Sequence, residues 1–404
     1  MKICFVLPEL SPSGGVAVAA AHARGLERDH GVEAELRTLE DLGEARGRYD
    51  VAIATWWETV PALWQLDAAH RAVLLQSFEQ RFYDRDAPFE RLSAECTLAM
   101  AVDFIAVAPW MRDVLSDLRE AARCWVVRPG IDKERFTAPR DVRREGPLRV
   151  LIEGQPSLPF KGVEDAVAAV RAMRSPAYST LVALDSAATD GIHVDRVATG
   201  LDANAMAALY CESDVLLKLS RVEGLGLAPV EAFHTGLPCV VTPFTGHDEY
   251  ARHGENALVV GFDDPAGTSA ALDLLATDRD LLAQLSAGAR ETAAGWPSPA
   301  ASTQLLHEVL LELVAGKPPR ADETFLFRTL ALGTELGRAR IHQAASTERA
   351  LNVAQELVHE LSISRDECGE MLEDARAELA RIQGSRAYKL GRVAKRASRA
   401  VRRR

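Results

Sequence analysis

Two successive runs of short apolar segments alternating with helical ones restrict this chain to few architectures. In the first run KICFVLPE, DVAIATW, RAVLLQSF, FIAVAP and CWVVRPGID are strand-like, and VAVAAAHARGLERDHG has helical apolar spacing closed by a glycine. Continuous apolar runs of this length suit strands buried on both faces of a parallel sheet. A polar segment with two prolines, DKERFTAPRDVRREGP, separates the runs. The second run has strands in LRVLIEG, STLVALD, DVLLKLS and PCVVTP, with helices in GVEDAVAAVRAM, ANAMAALYCES and APVEAFHTG. The expected fold class is α/β, with two doubly wound domains and ligands bound beyond the carboxyl ends of the strands. The expected domains are residues 1–140 and 141–315. A helical extension over 316–384 and a basic amphipathic tail over 385–404 follow.

At 404 residues the chain exceeds one ordinary core, and 48% hydrophobic with 26% charged residues is a globular composition. No apolar run approaches the ~20 residues that span a bilayer. MKICFVLPEL reads as a first strand rather than a signal peptide, so the expected location is cytoplasmic. The six cysteines form no C-x-x-C pair or Cys/His cluster, which argues against a disulfide scaffold and a structural zinc site and suits small buried hydrophobes. Ala350, Ala354, Leu357, Leu361, Ser364, Cys368, Met371, Ala375 and Ile382 form a sparse seam. It fits a coiled coil joining copies of the chain, or a single helix folding back on the body. From Arg386 to Arg404 there are nine Lys or Arg and no acid, although the whole chain has a net charge of −11. Leu390, Val393, Ala397 and Val401 fall at helical spacing there. An interfacial helix on an anionic membrane fits, as do a solvated tail and nucleic-acid binding. The acidic body and lack of a nucleic-acid-binding motif argue against the last.

The chemistry concentrates in LSRVEGLGLAPVEAFHTGLPCVVT, residues 219–242. After the strand DVLLKLS, Gly224 and Gly226 let backbone N–H groups approach a ligand, and Pro229 suits the first turn of the next helix. A helix start behind such a loop favours phosphate. Glu223 is expected in the loop and Glu231 in the first helical turn. Carboxylates at both ends of a phosphate-facing loop suit a nucleotide sugar, with ribose on one side and hexose on the other. Plain capping of a helix start explains the acids equally well.

This stretch resembles the signature of family-4-type retaining glycosyltransferases, which have the GT-B fold of two Rossmann-like domains. The matching residues are Glu223, Gly224, Gly226, Leu227, Glu231, Gly236 and Pro238. Downstream, Gly246, Glu249, Gly254 and Asn256 are similar to further family segments. Upstream, Pro129, Gly130, Ile131, Asp132 and Phe136 resemble the interdomain junction. Lys161 and its following glycine resemble the phosphate-binding Lys-Gly, and the SGG of Gly14 and Gly15 resembles the amino-terminal glycine loop. The matches keep the family's order over residues 1–315.

The resemblance implies that Glu231 holds ribose hydroxyls and Glu223 contacts the transferred sugar. The backbone around Gly224, Leu225, Gly226 and Leu227 would face phosphate and sugar. Lys161 would neutralise the departing diphosphate, Gly14 and Gly15 would close the site, and Gln76 would take the acceptor-side position, helped by Glu79 and Tyr83. Base contacts are expected from backbone near Gly200. His247 would meet sugar or phosphate, or be structural. The resemblance implies no cofactor and no essential metal. Where many relatives carry an arginine, this chain has Gln155, and Arg221 and Arg128 are the candidate replacements, unless each merely forms a surface ion pair. Trp56 and Trp57 would stack an acceptor or pack, while Trp110 and Trp296 read as core.

QSFEQRFY and TGHDEY are similar to stretches in bacterial surface-polysaccharide transferases of rhamnan and O-antigen type. The expected reaction moves a sugar from a nucleotide diphosphate donor to a growing, lipid-linked glycan at the inner face of the plasma membrane. An epimerase of the same fold and a non-catalytic scaffold are the alternatives. A glycosidase is disfavoured because its two carboxylates must flank one glycosidic bond.

Overall fold

The computed structural model describes residues 1–10, 13–83, 87–119, 122–137, 142–186, 189–363, 377–382 and 384–385. They form two compact units, Met1–Phe82 with Thr97–Asp322, and Tyr83–Cys96 with Glu323–Arg404.

The first unit holds two six-stranded sheets. One contains β1 (Lys2–Leu7), β2 (Glu33–Thr38), β3 (Tyr49–Ala54), β4 (Ala68–Leu75), β5 (Asp103–Ala106) and β6 (Cys124–Val126), in the order β2-β1-β3-β4-β5-β6. The other contains β7 (Leu148–Glu153), β8 (Ala177–Ala183), β9 (Arg196–Thr199), β10 (Val215–Lys218), β11 (Cys239–Val241) and β12 (Ala257–Val259), in the order β12-β11-β10-β7-β8-β9. Every pairing between these strands is parallel. The central strands β1, β3, β5 and β10 are almost wholly buried, as apolar runs covered on both faces must be.

The helices are α1 (Gly14–His30), α2 (Thr59–Ala62), α3 (Pro88–Thr97), α4 (Pro109–Leu118), α5 (Val163–Arg171), α6 (Ala203–Glu212), α7 (Leu227–His234), α8 (Pro265–Thr277), α9 (Arg279–Ala294), α10 (Pro299–Ala315) and α11 (Glu323–Ile363). Ser13 caps α1, and Gly31 ends it in the left-handed region. At register, Leu217 of β10 lies opposite Ile152 of β7, so Lys218 and Glu153 end neighbouring strands at their carboxyl side.

The sequence groups the helix over 299–315 with the second domain. In the structure α10 instead packs on α1. His30 and His307 stack at 4.3 Å, and Thr303 Oγ1 lies 3.5 Å from the buried His22 Nδ1. The chain thus crosses twice between the sheets, and the crossings are tied together. Trp296 Nε1 donates to Pro129 O at 2.9 Å, Ile131 N to Pro297 O at 3.0 Å, and Ser302 Oγ to Arg128 O at 2.6 Å.

Within the second unit α11 runs 41 residues, and its glycines lie against α3: a Cβ at Gly337 would stand 2.8 Å from Phe89. Seam residues 364–376 and the basic tail from Arg386 lie outside the described residues. No described helix is long and apolar enough to cross a membrane. Cys4 and Cys239 are buried as expected, whereas Cys96, Cys124 and Cys211 are only partly so; Cys368 is not described.

Beyond β4 the chain turns through Glu79–Phe82, where the buried Glu79 carboxylate accepts the Trp57 N–H at 2.5 Å. Burial raises the Glu79 carboxyl to about 8, against the opposing effect of that hydrogen bond.

Two predictions follow from this packing. Gly25→Leu, whose Cβ would stand 2.7 Å from Thr303 Oγ1, lowers stability by about 1–3 kcal/mol in urea unfolding, and a second change, Thr303→Ala, recovers most of it. The carboxyl of Glu79 is raised in the folded state, so its favourable contribution is complete below the unfolded pKa of about 4.3 and is lost as pH rises towards 8. Glu79→Gln should therefore gain on wild type by a few kcal/mol between about pH 4.5 and 8. A stability difference that stays constant over that range would contradict the buried-carboxyl reading.

Candidate functional site

β10 ends at Lys218, and the chain then runs through Leu219–Gly226 into α7. Glu223 lies in this loop and is buried. Lys161 Nζ at 2.9 Å, Lys218 Nζ at 3.0 Å and Ser220 Oγ at 2.8 Å all reach the same oxygen, Oε1. No described residue donates to Oε2. Burial alone would raise this carboxyl, but the two ammonium groups outweigh it and hold it near 2. Lys218 also contacts Glu153 Oε2 at 2.5 Å. Burial works against its charge, yet the two carboxylates keep it firmly protonated. Glu153, Lys161, Lys218 and Glu223 thus form a neutral set of two cations and two anions.

The glycine loop turns its carbonyls into the protein. Gly224 O accepts from Trp110 Nε1 at 2.8 Å, and Leu225 O and Gly226 O lie 2.9 and 3.1 Å from Tyr250 Oη. No described residue accepts from the N–H groups of Leu225, Gly226 or Leu227, so the loop is a concave array of donors at a helix start. Gly226 sits at φ 79° with Phe244 and Tyr250 against it, and only glycine fits there. A Cβ at Gly224 would overlap the Gln76 carbonyl oxygen, so the loop is pressed against the end of β4.

Gln76, the expected acceptor-side residue, follows β4 and lies against the glycine loop. Its Nε2 donates to Thr55 O at 3.3 Å, and the side chain lies against Gly15. Gly14 approaches the Leu227 side chain, so the start of α1 faces the start of α7. Trp110 does more than fill core, because its indole N–H holds the glycine loop. Trp296 is core and hydrogen-bonded. Trp56 stacks on Phe82 at 5.9 Å, and Phe82 stacks on Phe160 at 5.1 Å. Trp57 supplies the Glu79 hydrogen bond. Tyr83 belongs to the second unit.

Glu231 departs from expectation: α7 begins at Leu227, so Glu231 lies in the second turn, not the first. That removes helix-start capping as its reason. Burial raises its carboxyl to about 7, against the hydrogen bond donated by Tyr210 Oη to Oε2 at 3.0 Å. The candidate replacement cations are otherwise engaged. Arg221 holds Asp165 at 2.8 Å and also Asp263, and Arg128 holds Glu249 at 2.6 Å. Gln155 is occupied at both ends of its amide, by Asp185 at 3.0 Å and the Leu184 N–H at 3.0 Å. The second cation beside Glu223 is Lys218, which the sequence analysis did not single out. Its signal is a lysine inside the apolar strand DVLLKLS, where a strand buried on both faces has no room for an unpaired charge.

His247 Nδ1 bonds Phe244 O at 2.7 Å. Gly200, at φ 63°, has open space around its Cα. Asn256 braces the turn below, accepting from Arg252 N and donating to Tyr250 O. Among the described residues no cluster of His, Cys, Asp and Glu could hold a metal ion. A separate cleft of about 380 Å³ is lined by Arg143, Arg149 and Arg196 at the amino-terminal ends of β7 to β9, away from this loop.

The model of the family described as "Glycosyl transferases group 1" matches residues 193–292, which include the glycine loop and both glutamates. The O-antigen biosynthesis protein RfbC of Myxococcus xanthus is 27% identical over 249 residues, 60% of this chain but 19% of RfbC. The chain therefore spans about a fifth of that relative. Sucrose-phosphate synthase from Thermosynechococcus elongatus superposes with a TM-score of 0.65 at 15% identity, over 78% of this chain and 99% of that one. Anabaena Alr3699/HepE in complex with UDP-glucose gives 0.63 at 16% identity, over 77% and 100%. The match to the group 1 glycosyl transferases is confined to residues 193–292, and the two parallel sheets and their order give the chain the GT-B fold of these solved structures.

Proposed function

We propose that this chain transfers a sugar from a nucleoside-diphosphate donor to a glycan acceptor, with retention at the anomeric carbon and no essential metal. One observation carries the reading. Among the described residues, Glu223 has one oxygen held by two cations and a hydroxyl and the other without a donor, beside a loop whose N–H groups lack acceptors. Lys161 would meet the diphosphate, the loop N–H groups would bind phosphate and sugar, and Glu223 Oε2 would accept a sugar hydroxyl. Glu231 Oε1, left over from Tyr210, would accept ribose hydroxyls. Gln76 would face the acceptor. In the reaction the anomeric carbon–phosphate oxygen bond breaks, and the acceptor oxygen bonds to the same face. The acceptor proton leaves with the diphosphate, whose charge fixed donors stabilise without reorganising.

The Anabaena HepE structures that share this fold hold UDP and glucose, which supports a nucleotide sugar as donor class. The similarity to RfbC, an O-antigen biosynthesis protein, supports a surface polysaccharide as acceptor. A lipid-linked acceptor, held at an anionic leaflet through residues 386–404, completes the proposal.

The test is release of nucleoside diphosphate by the full chain from a panel of nucleotide sugars, with chelator and a glycan acceptor present. One donor should turn over, and Glu223→Gln should lower kcat by about 10²–10³. Because Glu231 titrates near 7, ribose hydroxyls that prefer its ionised form make donor binding release protons between about pH 6 and 7. Calorimetry in buffers of different ionisation enthalpy reads this release, and Glu231→Gln abolishes it while raising the donor KM. Interconversion of the free nucleotide sugar without an acceptor would identify an epimerase. An absence of binding to every donor would favour a scaffold.

A further inference from the structure

The pair formed by Lys218 and Glu153 has no place in the roles given so far. Lys218 is 2% exposed, at the last position of a strand in the middle of its sheet. It therefore reaches bulk solvent poorly, yet its ammonium bridges Glu153 at 2.5 Å and Glu223 Oε1 at 3.0 Å. Lys161 is more open and reaches the same oxygen at 2.9 Å from the turn before α5. Ser220 adds a third donor at 2.8 Å. Three donors on one carboxylate oxygen are more than it needs, so losing one does not leave a bare buried charge.

We propose that Lys218 is a positioning residue: it neutralises Glu223 permanently from beneath, so that Lys161 can leave Glu223 for the diphosphate of an arriving donor. The inference rests on the nucleotide-sugar reading for its ligand, but its structural half does not. Without Lys218, Lys161 would be the one cation left on a buried carboxylate. An incoming diphosphate would then have to strip it away, exposing an uncompensated charge. With Lys218 in place, the movement of Lys161 exchanges one anion for another, while Glu223 remains ionised and keeps Oε2 for a sugar hydroxyl. Glu153 completes the arrangement by balancing Lys218, which explains an acidic residue at the end of β7 just before Gly154 and Gln155. The second cation is thus supplied below the ligand rather than beside it, since Arg221 and Arg128 are held by Asp165, Asp263 and Glu249.

The experiment uses the full chain and compares Lys218→Met, Lys218→Arg and the charge-neutral pair Lys218→Met/Glu153→Gln. The pair keeps the cluster balanced should the single variant fail to fold. Binding of UDP, ADP and GDP is measured by calorimetry. For whichever diphosphate wild type binds, the paired variant should bind at least tenfold more weakly, and Lys218→Arg should restore most of the loss. In a Lys161→Met background the paired change should have almost no further effect, because Lys218 acts only through Lys161. A full additional loss in that background, or wild-type binding by the paired variant, overturns the proposal. A second readout needs no ligand. The carbon-13 signal of the Glu223 carboxyl, assigned with Glu223→Gln, should titrate about one pH unit or more higher in the paired variant than in wild type. An unmoved midpoint overturns the assignment of Lys218 as the counter-ion. If wild type binds none of the three diphosphates, the nucleotide-sugar reading fails on its own, and the carboxyl titration still decides the role of Lys218.

Discussion

A single carboxylate oxygen, Glu223 Oε1, joins the end of β10, the turn before α5 and the glycine loop before α7. Burying that charge without partners would cost several kcal/mol. With Lys218, Lys161 and Ser220 on one side, it becomes the fixed point from which the loop is hung. The loop cannot relax away from it, since Gly224 is held by Trp110 and Gly226 lies against Tyr250 and Phe244. The donor array of Leu225, Gly226 and Leu227 is therefore set before a ligand arrives, and preorganised donors are the ones that stabilise developing charge efficiently.

The same loop joins the two sheets. Gln76 at the end of β4 meets the backbone of Gly224, and Arg81 Nη1 donates to Thr245 Oγ1 at 2.7 Å. Phe82 stacks on Phe160, one residue before Lys161. Contacts from the first sheet thus reach the residues proposed to carry phosphate chemistry in the second. The crossing of α10 back onto α1 holds the sheets from the opposite end of the chain. An acceptor bound near Gln76 would bear on the glycine loop through this contact, without a separate relay.

Much of this was legible in the sequence because buried parallel strands are continuous apolar runs. The strands the sequence analysis missed are β2, β9 and β12, each at the edge of its sheet. EAELRT and RVAT carry charges because one flank of an edge strand meets water, and β12 is only three residues long. The glycine loop was legible because Gly224 and Gly226 answer steric demands that no other residue meets. Glu231 was displaced by one turn because the helix starts at Leu227, two residues before Pro229. Lys218 was not legible as a site residue, because its meaning depends on Glu153, 65 positions earlier, which only the strand register brings alongside. The roles of Arg221 and Arg128 were left open for the same reason: their carboxylate partners are remote in sequence.

The most direct measurement of the central claim is the position of a bound nucleoside diphosphate in a diffraction experiment on the full chain. The account predicts phosphate oxygens within hydrogen-bonding distance of Lys161 Nζ and of the N–H groups of Leu225, Gly226 and Leu227, with the ribose on Glu231. Phosphates found instead in the cleft of Arg143, Arg149 and Arg196, with Lys161 still on Glu223, would contradict it.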